Sequence, residues 1–313
     1  MNEPILHHYP ASPYAEKIRL MLGFKRLKWR SVLIPVMLPK PDVVALTGGY
    51  RRTPILQLGA DIYCDTALIE RALERAAPAP TLYPYGQTLA VRALAHLAET
   101  VLFNVSVPIA FQPDNLRVFF PEADGSFLER FREDRVAMRK GGTVRRGPLA
   151  ECRAVYAHLA PMLESQFADG RRFVLGNAPC AADFAVFHPL WPLGRVPALA
   201  AAIGAFPATE RWMTRMNAIG HGEPREMASA EAIGIARSAK PAPVRGALAV
   251  ETDGIALGER VQVMPVDYAF DPVKGELLEA SADEIVVRRS DERAGTVHVH
   301  FPRFGFQLSR ASA

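Results

Sequence analysis

Between Thr53 and Thr66 the chain reads TPILQLGADIYCDT, two short apolar runs on either side of Gly59-Ala60. A two-residue connection with glycine first fits a type II′ hairpin, whose first turn residue needs positive φ. Directly after it, Ile69, Ala72, Leu73 and Ala76 repeat as one face of a helix. Upstream, ILHHY (5–9) is a short apolar strand bounded by Pro10, and WRSVLIP (29–35) reads as a second strand. Between them, Tyr14, Ile18, Met21 and Leu22 recur at helical spacing from Pro13, with Glu16, Lys17 and Arg19 opposite and Gly23 as a stop signal. Residues 36–53, with two prolines and the Gly48-Gly49 pair, read as irregular. The order over residues 4–77 is therefore β-α-β-irregular-β-β-α. The closing hairpin makes the sheet mixed, which excludes a doubly wound parallel fold.

The period then changes twice. After a proline-rich connection, PAPTLYPYG (78–86), the pattern from 87 to about 222 is helical throughout. Val91, Leu94, Leu97 and Val101 form one stripe, and Cys152, Val155, Tyr156, Leu159 and Leu163 form another, which Pro161 should kink or interrupt. Past residue 240, KPAPVRG is a linker by composition. ERVQVMP, GELLEA, EIVVRR and GTVHVHF follow as short β-like runs separated by turn residues, the pattern of a small antiparallel barrel or sandwich. Three domains are expected: residues 1–80, 87–225 and 242–313.

Composition narrows the function classes. With 313 residues, 49% hydrophobic and 22% charged, the chain is globular in character. It contains no run of eighteen apolar residues and no basic segment leading into an apolar one at its start, so neither a membrane span nor a signal peptide is expected. Cys64, Cys152 and Cys180 are far apart, without metal-ligand spacing, which fits a reducing compartment and a cytoplasmic location. The net charge of +4 comes from seven lysines and thirty arginines against 33 acidic residues. Apart from Arg139, Lys140, Arg145 and Arg146 the basic residues are scattered, without the stripe or module that a nucleic-acid partner requires. That cluster reads most simply as a solvated loop.

Four segments, in order, resemble the glutathione S-transferase superfamily. YPASPYAEKIRLML looks like the family's first strand and helix with its activating turn, and RRTPIL like the segment carrying its cis-proline, here Pro54. CDTALIERAL looks like the acidic-hydroxyl pair that opens the next helix, here Asp65 and Thr66, and GNAPCAADFAV (176–186) like the buried capping motif of the helical domain, with Asp183 at its acidic position. The resemblance covers residues 1 to about 222. It implies an α/β thioredoxin-like domain and an all-α domain, here followed by the β-rich tail. It also implies glutathione as co-substrate, a small hydrophobic electrophile, a homodimer, and detoxifying conjugation without a metal, a nucleic acid or a membrane.

The chemistry that such a site must perform is defined. A thiol with a pKa of about 8.5 is only slightly ionised at neutral pH. The helix beginning at Pro13 offers free N–H groups and a partial positive charge to an anion. A hydroxyl donating to the sulfur adds about 1.5–3 kcal/mol, or one to two pKa units. The resemblance implies Ser12 as that donor, with Tyr9 as the alternative. It further implies that the main chain of Thr53 beside Pro54 pairs with the tripeptide, Asp65 binds its γ-glutamyl ammonium, Thr66 binds the adjacent carboxylate, and Arg52 reaches the glycyl carboxylate. Tyr14, Phe103, Phe111 and Phe119 are candidates for the electrophile's wall.

Each of these residues also has a plainer reading. Ser12 followed by Pro13 is a good helix cap, although Glu16 is one position late for a capping box. Asp65 and Thr66 are common at helix starts. Asp183 reads as structural, and Cys180, standing where the family pattern has Ser or Thr, caps poorly. Cys64 reads as a buried strand residue. His298 and His300 share one strand face and could be two metal ligands, but no third is identifiable, so a barrel-face role is expected. His7 and His8 straddle the first strand with no assigned role.

Overall fold

The computed structural model describes residues 3–144, 147–246 and 252–311. At its centre is the expected mixed sheet. β1 (Ile5–His8) leads through Ser12 into α1 (Pro13–Phe24) and back to β2 (Lys28–Leu33), which pairs parallel to β1. β3 (Ile55–Leu58) pairs antiparallel to β1, and β4 (Asp61–Cys64) antiparallel to β3. Gly59 at the hairpin has φ of 67°, the positive value that only glycine adopts without strain. α3 (Thr66–Ala76) follows directly. The segment 36–53 is not wholly irregular. It holds the short helix α2 (Pro41–Thr47), opened by Pro41 and stopped by Gly48 in the left-handed region.

The helical region begins with α4 (Leu89–Leu97), which continues through a π-helical turn, Ala98–Leu102, into α5 (Phe103–Ala110). This is the one helix among the described residues long and apolar enough to cross a bilayer; 44% of its apolar stretch is buried, where it packs on α8 and α9. α6 (Leu116–Phe119) and α7 (Gly125–Arg139) precede α8 (Leu149–Gln166), which runs through Pro161 without interruption. α9 (Ala181–Arg195) is the buried axis, followed by α10 (Pro197–Gly204) and α11 (Pro207–Asn217). Arg139 and Lys140 close α7, whereas Arg145 and Arg146 lie outside the described residues.

The tail is β-rich and antiparallel, as expected, but it continues the central sheet. β5 (Glu223–Glu226) adds in parallel to β2, and α12 (Ser229–Ser238) then packs against α2 and the sheet. β6 (Arg260–Pro265), β7 (Val273–Ala280), β8 (Glu284–Asp291) and β9 (Gly295–Pro302) form an antiparallel meander, and β10 (Phe306–Arg310) returns to pair with β6, giving the order β10-β6-β7-β8-β9. β9 pairs in parallel with β4, placing Asp61 opposite His298 and Tyr63 opposite His300. The result is one ten-stranded sheet, β10-β6-β7-β8-β9-β4-β3-β1-β2-β5. Two apolar cores lie on its faces. One joins α1 and α3 to the helical region. The other joins α2, α12 and the alternate residues of β6 to β9, such as Val287, Val297 and Val299.

Candidate functional site

Ser12 is the N-cap of α1. It is extended (φ −79°, ψ 118°), 2% exposed, and its Oγ accepts from the Ala15 N–H at 3.1 Å. That bond uses a lone pair and leaves the hydroxyl hydrogen uncommitted. The turn before it is held from beneath by Arg19, which donates to Pro10 O (3.0 Å) and to Glu16 (2.5 Å) and meets His8 Nδ1 at 3.1 Å. Glu16, Lys17 and Arg19, the polar side of this helix, are all buried. Burial, and then the Arg19 charge, lower His8 to about 3, so it stays neutral and orients through Ser31 (2.9 Å).

Thr53 and Pro54 lie at the entry to β3, and the Thr53–Pro54 peptide is cis. Asp65 and Thr66 open α3. Asp65 accepts from the Ala67 N–H at 2.9 Å and has φ of 75°, an unfavourable value for a side-chain-bearing residue. Strain of this kind collects where function fixes a residue. Burial, followed by the nearby Glu99 carboxylate, pushes the Asp65 carboxyl above its ordinary pKa.

Behind these residues is a buried ion cluster that sequence patterning missed. Lys17, 1% exposed, pairs with Glu99 at 2.9 Å and Glu70 at 3.6 Å and donates to Thr66 Oγ1 at 3.4 Å. Burial alone lowers the pKa of the ammonium, but the Glu99 and Glu70 carboxylates outweigh it and hold the pKa above the ordinary value. Glu99 lies in the π-helical turn, a device that re-aims side chains within a helix. Its distance from Lys17 in sequence left no local signal.

Lys40 was also missed. Its ammonium donates to Thr53 Oγ1 (3.1 Å) and Arg51 O (3.2 Å) and lies 5.8 Å from the Tyr9 ring centroid. Burial first, then Arg135 and Arg51, lower it to about 7. Tyr9, the alternative donor, is half-buried against the apolar core that includes Ile18, Met21 and Leu22 of α1.

Arg52 has a partner that sequence reading did not foresee. It is ion-paired to Asp267, donates to Tyr268 O, and stacks its guanidinium 3.8 Å from the Tyr268 ring. The β6–β7 connection carrying these residues is also tied to the helical region through Ala269 N–H to Met138 O (2.7 Å) and Thr143 N–H to Asp267 O (3.0 Å). Arg51 beside it pairs with Asp134. The tail therefore packs against Arg52 next to the Thr53–Pro54 segment, and Arg52 Nε is buried there without a hydrogen-bond partner.

The aromatic candidates separate into two pairs. Tyr14 packs on Phe103 and on His188, each at 4.7 Å, which places both beside the Lys17–Glu99 cluster. Phe111 instead stacks on Phe119 at 4.2 Å, at the junction of α5 and α6. Asp183 is structural, as expected. Its carboxylate accepts from Val174 N–H (2.8 Å), Cys180 N–H (3.0 Å), Trp212 Nε1 (2.9 Å) and Cys180 Sγ (3.2 Å). Cys180 does stand at the N-cap of α9, so the capping motif survives its replacement. Cys64 is a fully buried strand residue whose thiol burial raises far above the ordinary pKa. His7 bonds Gln57 (2.8 Å) in the core.

Residues 6–81 match the glutathione S-transferase N-terminal domain, and residues 149–219 match the corresponding C-terminal domain. A crystal structure of a GST-like protein from Pseudomonas syringae is 42% identical with a TM-score of 0.83, covering 99% of this chain and 100% of that one. The likeness thus takes in the β-rich tail. A glutathione S-transferase from Rhodospirillum rubrum is 22% identical over 68% of this chain and 87% of its own, with a TM-score of 0.48. One from Ceriporiopsis subvermispora, in complex with glutathione, is 19% identical over 70% and 98%, with a TM-score of 0.49. No curated protein matches.

Proposed function

Because this chain belongs to the glutathione S-transferase superfamily, we propose that it binds glutathione at Ser12, Thr53, Pro54, Asp65 and Thr66 and transfers it to a small apolar electrophile. The observation that carries the reading is the uncommitted hydrogen of Ser12 at the first turn of α1, whose oxygen already serves Ala15. A thiolate placed there receives a hydroxyl hydrogen bond and the helix-terminal field together. The thiol proton leaves to solvent, the sulfur bonds to the electrophilic carbon, and the leaving group departs with its bonding pair.

The remaining parts fit an anionic tripeptide. The Thr53 main chain precedes β3 and is free to pair with an added strand. Asp65 offers a carboxyl to an ammonium, and Lys17 behind Thr66 favours a carboxylate there. The Tyr14–Phe103 pair supplies an apolar wall for the electrophile. The protein acts in the cytosol as a homodimer, which light scattering of the purified chain tests. Calorimetric titration with glutathione and a conjugation assay with an aryl halide test the activity. Equal, nonzero conjugation rates in wild type and Ser12→Ala would remove Ser12 as the activator, and loss of rate in Tyr9→Phe alone would assign the role to Tyr9.

A second reading, a non-catalytic binding protein, is favoured by one observation. Tyr268 and Asp267 lie across Arg52, where a glycyl carboxylate would otherwise be received. If neither wild type nor Tyr268→Ala takes up glutathione, this reading replaces the first.

A further inference from the structure

The sequence marks His298 and His300 as a pair on one face of a strand that lacks a third partner. The sheet supplies one. Parallel pairing of β9 with β4 sets Asp61 directly opposite His298. Asp61 Oδ1 then lies 3.0 Å from His300 Nε2 and 3.8 Å from His298 Nδ1, and the three atoms all fall within 4.8 Å of one another. We propose that Asp61, His298 and His300 form a binding site for a borderline divalent cation of the zinc class, at the seam where the tail joins the thioredoxin-like sheet.

Three observations support it. The first is spacing. Zinc bonds of about 2.0–2.1 Å at the tetrahedral angle set ligand atoms roughly 3.3 Å apart, and the 3.0 and 3.8 Å separations from Asp61 straddle that value. The second is an orphan. His298 Nδ1 is buried, faces Asp61 and has no hydrogen-bond partner. A buried ring nitrogen without a partner is costly, and a cation is the partner that would also satisfy Asp61 and His300. The third is the surrounding shell. Glu284 accepts from His300 Nδ1 at 2.6 Å, leaving Nε2 to point at Asp61, which is the carboxylate–histidine–metal arrangement. Tyr63 stacks on the His300 ring at 4.4 Å, and the Ala242 N–H holds the other Asp61 oxygen at 2.8 Å.

The donor set selects the ion. Two imidazoles and one carboxylate suit zinc, cobalt or nickel, and not magnesium or calcium. In the absence of metal, the same geometry makes His300 a proton bridge between Asp61 and Glu284. The cation replaces the proton on Nε2 only, and the bond to Glu284 is kept. Since Asp61 begins β4 and Asp65 follows its end, the ion would lie at the far end of the strand from the proposed thiol site and would fasten two segments of chain together.

The test uses the full-length chain without an affinity tag, treated with chelator and dialysed. Zinc chloride is titrated calorimetrically, and cobalt chloride is followed by the visible bands of four-coordinate cobalt. Binding at one ion per chain is expected, with cobalt bands displaced by zinc. His298→Ala should abolish the bands while leaving the melting temperature of the metal-free protein unchanged. Glu284→Gln should weaken zinc by about 10–100-fold, and it serves as the deciding variant if His298→Ala does not fold. Absence of one-to-one binding in wild type, or unaltered affinity in these variants, overturns the proposal.

Discussion

Ser12 can be both a cap and a hydrogen-bond donor to sulfur, and two substitutions separate those roles. Ser12→Ala removes the acceptor for the Ala15 N–H, whose 3.1 Å bond is buried. Loss of such a cap costs about 0.5–2 kcal/mol, whereas glycine at an N-cap costs only a few tenths. In a chain of this size the alanine variant should melt about 2 °C lower, and Ser12→Gly should lie close to wild type. Both variants lack the hydroxyl. If Ser12 donates to a thiolate, both raise the pKa of bound glutathione by the same amount, about one to two units for a bond of roughly 1.5–3 kcal/mol. The assay is the ultraviolet absorbance of the thiolate against pH, with each variant saturated by glutathione, alongside thermal melts. Tyr9→Phe should leave the thiol pKa unmoved. The reasoning is refuted if the bound-thiol pKa is equal in wild type and both Ser12 variants. It is also refuted if the pKa follows stability, high in alanine and normal in glycine, because the helix terminus alone would then be the activator.

Other residues give sharper stability signals. Lys40, lowered to about 7 by burial, binds fewer protons folded than unfolded between about pH 7 and the ordinary lysine value. Stability should therefore rise with pH across that window, by up to about 1.4 kcal/mol per unit, with no such slope below pH 7. Lys40→Met should flatten the rise in urea titrations at stepped pH. Gly23→Ala would set a Cβ 2.0 Å from Gly220 O, a backbone atom, so α1 and the turn after α11 must separate. A loss of at least about 1–3 kcal/mol in chemical denaturation is expected. Asp183→Ala leaves three buried N–H groups unpaired, those of Val174, Cys180 and Trp212. At roughly 1–3 kcal/mol each, the variant should lose about 3 kcal/mol or more, with Asp183→Asn losing less.

The local parts of this fold were legible because their signals are local. The Gly59 turn, the Ser12-Pro13 helix start and the alternation within any one strand of β6 to β9 each lie within a dozen residues of sequence. α2 was hidden by its prolines and by the Gly48-Gly49 pair, which read as loop. β5 is EPRE, fully exposed and without apolar alternation, as suits an edge strand that must not invite further pairing. The site divides along the same line. Ser12, Pro54, Asp65 and Thr66 sit in short motifs. Lys40 and Glu99 do not, and Lys17 sits in one only as a polar-face residue, because a buried charge is explained only by partners far away in the chain. Arg52 was marked by its motif, but its partners Asp267 and Tyr268 come from beyond residue 260. Asp61 was unremarkable until β9 lay beside it.

The joining of β9 to β4 also has a consequence in time. Asp61 and His300 are separated by 239 positions. At about 5–20 residues per second, a ribosome needs on the order of tens of seconds to make that stretch. For much of that interval the thioredoxin-like segment stands outside the ribosome with the outer side of β4 unpaired, a free strand edge of the kind that recruits other chains. The final seventy residues are then the nascent protein's own stopper for that edge. Nascent chains stalled before β9 should aggregate, whereas chains carrying a linker after Arg310 long enough to bring β9 and β10 out of the ribosome should not.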